Sequence, residues 1–217
     1  MKSTSTDSEK VARVLFESGC IIFRPKQPFK YNTGIISPVY TDNRLIISTT
    51  KPRNTILKLM LSKIKDIGIP DVVAGTATAG IPHAAFLALK LNLPMIYVKG
   101  QAKEYGKKNQ IEGSIKKGQK VIVIEDLVST GGSCIRVVEA VRNAGGKVTD
   151  VIAIYTYQLK EAENNFKKVR VRLHALSSLD ASCSVAVKKG FLLPEQVKTI
   201  LDWAKNPKDW GKKMGFE

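Results

Sequence analysis

The segment from Val121 to Ser133, VIVIEDLVSTGGS, concentrates the side chains best suited to chemistry. Four β-favouring apolar residues carry the chain to two adjacent carboxylates, Glu125 and Asp126. After Leu127 and Val128, the run Ser129, Thr130, Gly131, Gly132 and Ser133 forms a small, hydroxyl-rich turn that opens a helix. Glycines let backbone N–H groups converge into an anion nest and a helix start adds partial positive charge, so such a turn suits a phosphate monoester. Carboxylates beside a bare anion site would repel the anion. They suit a ligand that carries vicinal hydroxyls as well as phosphate, as a phosphorylated ribose does. The segment lacks the Gly-Lys-Ser/Thr end of a Walker loop and the Gly-x-Gly-x-x-Gly dinucleotide fingerprint. A plain capped helix after a strand would account for Thr130 and the glycines, but not for two carboxylates at a sheet edge.

The elements that must hold this corner can be read from apolar periodicity. Asp7 to Gly19 carries an apolar stripe (Val11, Val14, Leu15, Phe16) and predicts a helix, and helical spacing returns at Thr55 to Ile67. Ile21 to Ser48 is irregular or β-like, broken by Pro25, Pro28, Gly34 and Pro38. From Asp71 onward, short apolar runs alternate with amphipathic stretches: strands at Val72–Gly75, Met95–Val98, Val121–Ile124 and Val148–Tyr155, and helices at Ile81–Leu91 and Gly132–Ala144. A further strand is expected near Val171–Leu176. The pattern is that of an α/β fold, a parallel sheet covered on both faces, whose ligands bind beyond the carboxyl ends of the strands.

Composition narrows the classes. The 217 residues suffice for one α/β domain with an appendage. No window approaches a membrane span, and the opening residues lack the apolar core of a signal peptide, so a cytoplasmic protein is expected. Cys20, Cys134 and Cys183 are too few and too far apart for a disulfide framework or a zinc site, and His83 and His174 have no partner at metal-ligand spacing. The formal net charge of +16 favours polyanions. The lysines and arginines are scattered without an RNA-recognition pattern, which points to a solvated basic surface and a polyphosphate ligand rather than nucleic acid.

VIVIEDLVSTGGS resembles the ribose-phosphate signature of type I phosphoribosyltransferases, and three further segments resemble the orotate phosphoribosyltransferase family in that family's order. They are Thr33-Gly34, Ser37-Pro38, Tyr40, Asp42 and Arg44 in TGIISPVYTDNR; Gly75, Ala77, Gly80, Ile81 and Pro82 in GTATAGIP; and Ala102, Lys103, Glu104 and Gly106 followed by Gln110 to Gly113. The resemblance implies a type I phosphoribosyltransferase fold in a single domain over 1–217. A central parallel sheet flanked by helices (about 55–177) would carry a small hood from about 1–54 and 178–217. It implies transfer of the phosphoribosyl group from phosphoribosyl diphosphate to orotate. Glu125 and Asp126 would hold the ribose hydroxyls and take part in catalysis, with Leu127, Val128 and Ser129 to Ser133 around the 5-phosphate. Thr78, Ala79 and Gly80 would face the diphosphate, and Lys99, Lys103 and Tyr105 would lie on a mobile lid. Tyr40 and Ser129 would contact the base.

Breaking the bond between ribose C1 and diphosphate develops positive charge on the sugar and negative charge on the leaving group, so cations and exclusion of water are needed. Lys103, in a Gly- and Lys-rich stretch with the composition of a lid, is the candidate cation; the bland alternative is a solvated hairpin. Mg²⁺ is the other, held largely by substrate oxygens. By resemblance the lid reaches a neighbouring subunit, which implies a homodimer. The chain departs from the family pattern at Asn32 and Ala79, where lysines occur. Lys99-Gly100 stands for Arg-Lys, Tyr105 for a lid histidine, and Thr156-Tyr157 for an Asp-Arg pair. A purine-base phosphoribosyltransferase and a non-catalytic nucleotide sensor that uses its charge on RNA or DNA are the alternatives.

Overall fold

The computed structural model describes residues 6–100 and 110–216. Helix α1 (Asp7–Glu17) begins where the Thr6 side chain accepts from the Glu9 N–H, with Asp7 and Glu9 in its first turn, and it buries Val11, Ala12 and Leu15. Four short strands follow, β1 (Ile21–Phe23), β2 (Phe29–Lys30), β3 (Ile36–Ser37) and β4 (Val39–Thr41). They form two antiparallel ribbons, β1 with β4 and β2 with β3. A 3₁₀ turn (Asn43–Ser48) leads into α2 (Thr50–Ile67), which starts five residues before the expected Thr55. Pro52 falls in its first turn, where a missing N–H leaves no helical bond unmade.

The remainder alternates strand and helix: β5 (Val72–Thr76), α3 (Gly80–Leu91), β6 (Met95–Val98), β7 (Ile111–Glu112), β8 (Val121–Val128), α4 (Gly132–Asn143), β9 (Asp150–Thr156), α5 (Lys160–Val169) and β10 (Arg172–Ser178). Three helices close the chain, α6 (Leu179–Lys188), α7 (Pro194–Lys205) and α8 (Pro207–Lys213). The sheet order is β10-β9-β8-β5-β6-β7, parallel except for β7. Every residue of β5 and β9 is buried, as a parallel strand covered on both faces requires. One apolar core joins the sheet to α1, α2, α3, α6 and α7, and the other joins it to α4 and α5. From β5 the chain winds toward β6, and from β8 toward β9 and β10. The reversal between β5 and β8 opens a crevice at their carboxyl ends.

The principal difference from the sequence reading is the length of β8. It does not stop at Ile124 but runs to Val128, because pairing with β9 continues through Glu125↔Ala153, Leu127↔Tyr155 and Val128↔Thr156. The acidic pair therefore lies on the strand itself.

At the opposite end of the sheet a buried carboxylate fastens the edge strand. Asp150 accepts from Arg172 Nε and Nη2 (2.8 Å each), lies 2.6 Å from His174 Nε2, and accepts from the Thr149 hydroxyl at 2.7 Å. Burial on its own would raise the Asp150 pKa, but the bonds from Arg172, Thr149 and His174 outweigh it and the net shift is downward. A depressed carboxyl contributes stability above its unfolded pKa and loses it as pH falls through the folded value. Asp150→Asn is expected to be less stable than the parent by about 1–3 kcal/mol near neutrality. The gap should close below pH ~4 in denaturant titrations. A gap that persists unchanged into strong acid would contradict the assignment.

Candidate functional site

The two carboxylates of β8 lie side by side at its end and interact with each other. Glu125 continues the face of Val121 and Val123 and is 5% exposed. Its Oε1 accepts from the Asp126 N–H (3.0 Å), and the Cys134 thiol on α4 donates to Oε2 at 3.4 Å. Burial raises the Glu125 pKa well above the ordinary range and the neighbouring Asp126 carboxylate adds to it, so the neutral form is favoured. Asp126 is half-buried, with its carboxyl group against that of Glu125. Asn43, fully buried, donates from Nδ2 to the Asp126 carbonyl at 2.7 Å and fixes the strand there. Next to Asn43, Arg44 is held on Asp42 by two bonds of 2.7 Å. The Asp42 bond raises the Arg44 pKa, and the charges of Asp42, Tyr40 and Asp126 add to the shift, which places the guanidinium within electrostatic reach of Asp126.

The turn after β8 is built around Gly131, whose φ of 82° is open to glycine and strained for other residues. A Cβ there would lie 2.8 Å from Phe166 Cε2, so the α5 ring also excludes a side chain. Asn165 Nδ2 donates to the Thr130 carbonyl at 3.0 Å and anchors the turn. Gly131, not Thr130, is the N-cap of α4, and no side chain caps that helix; its first N–H groups are left for an anion. Arg136 Nη2 donates to Ser133 Oγ at 3.2 Å and adds a cation beside the turn. Among the residues assigned to this corner from sequence, Val128 is buried in the core, Leu127, Ser129, Thr130 and Gly132 are half-buried, and Ser133 is exposed.

The loop after β5 leads into α3 against the backbone of β8. Gly80 opens α3 so close to β8 that a Cβ would meet the Ile124 carbonyl at 2.5 Å, which sets Thr78 and Ala79 beside the acidic strand. The Ala77–Thr78 peptide is cis, and Thr78 is exposed. His83, one turn into α3, is 3% exposed with Nε2 unpartnered. Burial lowers its pKa, and the charge of Asp126 opposes that shift. Lys99 is ion-paired with Glu112 across β6 and β7, so its ammonium is engaged with a carboxylate of its own sheet. Lys103 and Tyr105, with Ala102, Glu104 and Gly106, lie outside the described residues.

A cleft of about 520 Å³ adjoins the turn, lined by Phe29, Lys30, Tyr31, Asn32, Tyr40, Thr41, Leu127, Ser129 and Tyr157. Tyr40 and Ser129, assigned to the base from sequence, meet in this cleft. Tyr40 packs against Phe29 (5.6 Å between centroids) and edge-on against Tyr31 (6.4 Å). Tyr157, where an arginine was expected, is buried. Its hydroxyl lies 3.4 Å from that of Tyr31, and its ring stands edge-on to Trp203 at 5.3 Å. Trp203 Nε1 donates to the Ile36 carbonyl at 3.0 Å, so α7 secures the ribbon that walls the cleft. Sequence reasoning did not single out Asn43, Tyr31, Lys30 or Arg136, and it weighed His83 only as a metal ligand. Asn43 stood inside the quoted TGIISPVYTDNR segment, and Arg136 is three residues beyond Ser133 on the same helix face, a spacing that could have flagged it.

The family described as phosphoribosyl transferase domain matches residues 53–180, a span that holds the acidic strand end, the helix start at Gly132 and the loop before α3. An orotate phosphoribosyltransferase of Listeria monocytogenes serotype 4b (strain F2365) is 47% identical over 205 residues, 94% of this chain and 98% of the relative. One of Coxiella burnetii (strain RSA 493 / Nine Mile phase I) is 45% identical over 202 residues, 93% of this chain and 97% of the relative. The crystal structure of orotate phosphoribosyltransferase from Aeropyrum pernix superposes with a TM-score of 0.73 at 29% identity, covering 84% of this chain and 99% of that one. The chain belongs to the orotate phosphoribosyltransferase family.

A folded pKa raised by burial contributes stability below the unfolded value and loses it as pH climbs through the folded one. Glu125 therefore costs the ligand-free protein stability at neutral pH. Glu125→Gln is expected to melt no lower than the parent at pH 7–8, while binding ribose 5-phosphate more weakly by calorimetry. A large drop in melting temperature would show that the charged form supports the fold.

Proposed function

We infer that the protein transfers the 5-phosphoribosyl group from phosphoribosyl diphosphate to orotate, giving orotidine 5-phosphate and diphosphate. The observation that carries this reading is Ser129, which belongs both to the turn suited to the 5-phosphate and to the aromatic cleft suited to a base. A ribose between turn and cleft lies over Asp126. The curated relatives favour this reading over a purine-base transferase or a non-catalytic sensor.

In the proposed reaction the C1–oxygen bond to diphosphate breaks, diphosphate leaves with the electron pair, and N1 of orotate forms the new bond to C1. The turn from Ser129 to Ser133 holds the 5-phosphate by backbone N–H groups and the start of α4. Asp126 accepts from a ribose hydroxyl and stabilises the positive charge that develops on the sugar. Glu125 backs the same strand and gains a hydroxyl partner when the sugar is bound. Thr78, Ala79 and Gly80 line the diphosphate side, and Lys103 carries positive charge to the leaving group. The described residues contain no group of three or more metal-ligating side chains. Mg²⁺ keeps waters and substrate oxygens as ligands and would take Asp126 as its protein contact. When bound, the ion supplies charge neutralisation at the diphosphate.

The homodimer with a shared lid, and the cytoplasmic location, belong to the same proposal. Both donor and product are highly charged, and no helix among the described residues is long and apolar enough to cross a membrane. Purified protein given phosphoribosyl diphosphate, Mg²⁺ and one base at a time should form nucleotide from orotate. Product from hypoxanthine or adenine alone would overturn the reading. Lys103→Ala is expected to lower kcat by about 100-fold or more with little change in KM, as for a cation that acts in the transition state. Asp126→Asn should both raise KM for phosphoribosyl diphosphate, through the lost hydroxyl contact, and lower kcat, through the lost charge in the transition state. Equal parameters for parent and variant would remove either residue from the mechanism.

A further inference from the structure

We propose that Lys30 determines base specificity: its ammonium holds the carboxylate that separates orotate from uracil. The inference rests on the orotate reading above and goes beyond it to one residue of the base cleft.

The cleft is walled by aromatic, hydroxyl and amide side chains, and Lys30 is the one charged residue among its described lining. Its position is set by structure on both sides. Strand β2 is only Phe29 and Lys30, registered on Ser37 and Ile36. The Phe29 ring is packed against Tyr40 on one side and lies under the Arg24 guanidinium, 4.8 Å from the ring centroid. These contacts fix the backbone from which Lys30 reaches the cleft. Among the described residues no carboxylate lies within ion-pair distance of its ammonium, in contrast to Lys99, Lys160, Lys167, Lys188, Lys189 and Lys205, which are all paired.

The other polar groups of the cleft cannot supply this discrimination. The Tyr31 hydroxyl donates to the Val39 carbonyl, and the Tyr157 hydroxyl is buried against Tyr31. Asn32, Thr41 and Ser129 are neutral and can serve ring oxygens that orotate and uracil share. The two bases have the same reacting N1 and differ in the carboxylate at C6. A lone cation recognises that difference by a charge-assisted bond, and a neutral analogue would leave the ammonium without its partner.

The test is steady-state kinetics of the full-length protein with orotate and with uracil as acceptors, for the parent, Lys30→Met and Lys30→Arg, with circular dichroism to verify the fold. Lys30→Met keeps the apolar stem and removes the charge. It is expected to raise KM for orotate by about tenfold to 100-fold and to shrink the orotate-over-uracil preference by a similar factor. KM for phosphoribosyl diphosphate should be unchanged, and Lys30→Arg should restore most of the preference. An unchanged orotate KM in Lys30→Met would overturn the proposal. So would a rise confined to phosphoribosyl diphosphate, which would make Lys30 a phosphate ligand. A parent protein that makes no nucleotide from orotate would sink the underlying reading itself, and that result is visible before any variant is compared.

Discussion

Two consecutive carboxylates, Glu125 and Asp126, stand at the end of the central strand with their carboxyl groups in direct interaction. Because β8 continues past Ile124 in register with β9, Glu125 is packed beside Cys134 of α4, and the backbone of Asp126 is tied to Asn43 of the 3₁₀ turn. The two acids differ in burial although they adjoin in sequence. Glu125 is shifted toward its neutral form by burial and by the Asp126 carboxylate, with the Asp126 N–H and the Cys134 thiol as further partners. Asp126 is half-buried, with its own carbonyl tied to Asn43 and the Arg44 charge nearby.

Much of the surrounding architecture follows from keeping this strand end in place. Gly80 lets α3 start against the Ile124 carbonyl, closing one side of the crevice. Gly131 lets the turn pass beneath Phe166 so that α4 begins with uncapped N–H groups aimed at the same space. Asn165 and Asn43, one on each flank, hold backbone carbonyls of Thr130 and Asp126. In the proposed placement a sugar phosphate would have its phosphate at the start of α4 and its hydroxyls at the acidic strand end.

The parallel sheet and its helices were legible in the sequence because each buried strand is an apolar run of the right length between amphipathic stretches. Met95–Val98 was located to the residue and α4 to within one. The phosphate turn was legible because its residues are consecutive. The end of β8 was not, since Glu125 and Asp126 interrupt the apolar run, and only pairing to β9 extends the strand. The cleft was largely hidden for a different reason. Its walls come from Phe29 to Asn32, Tyr40 and Thr41, Leu127 and Ser129, and Tyr157, and tertiary packing alone brings them together. Tyr157 illustrates this best. From the sequence it reads as a lost cation, whereas in the fold its ring packs edge-on against Trp203 and its hydroxyl lies beside that of Tyr31.

The most direct measurement is a crystal structure of the protein grown with saturating ribose 5-phosphate. The account requires the phosphoryl group to sit over the Ser129 to Ser133 turn at the start of α4, with a ribose hydroxyl donating to Asp126. A sugar phosphate bound on another face, or a turn left empty while the ligand is ordered elsewhere, would contradict it.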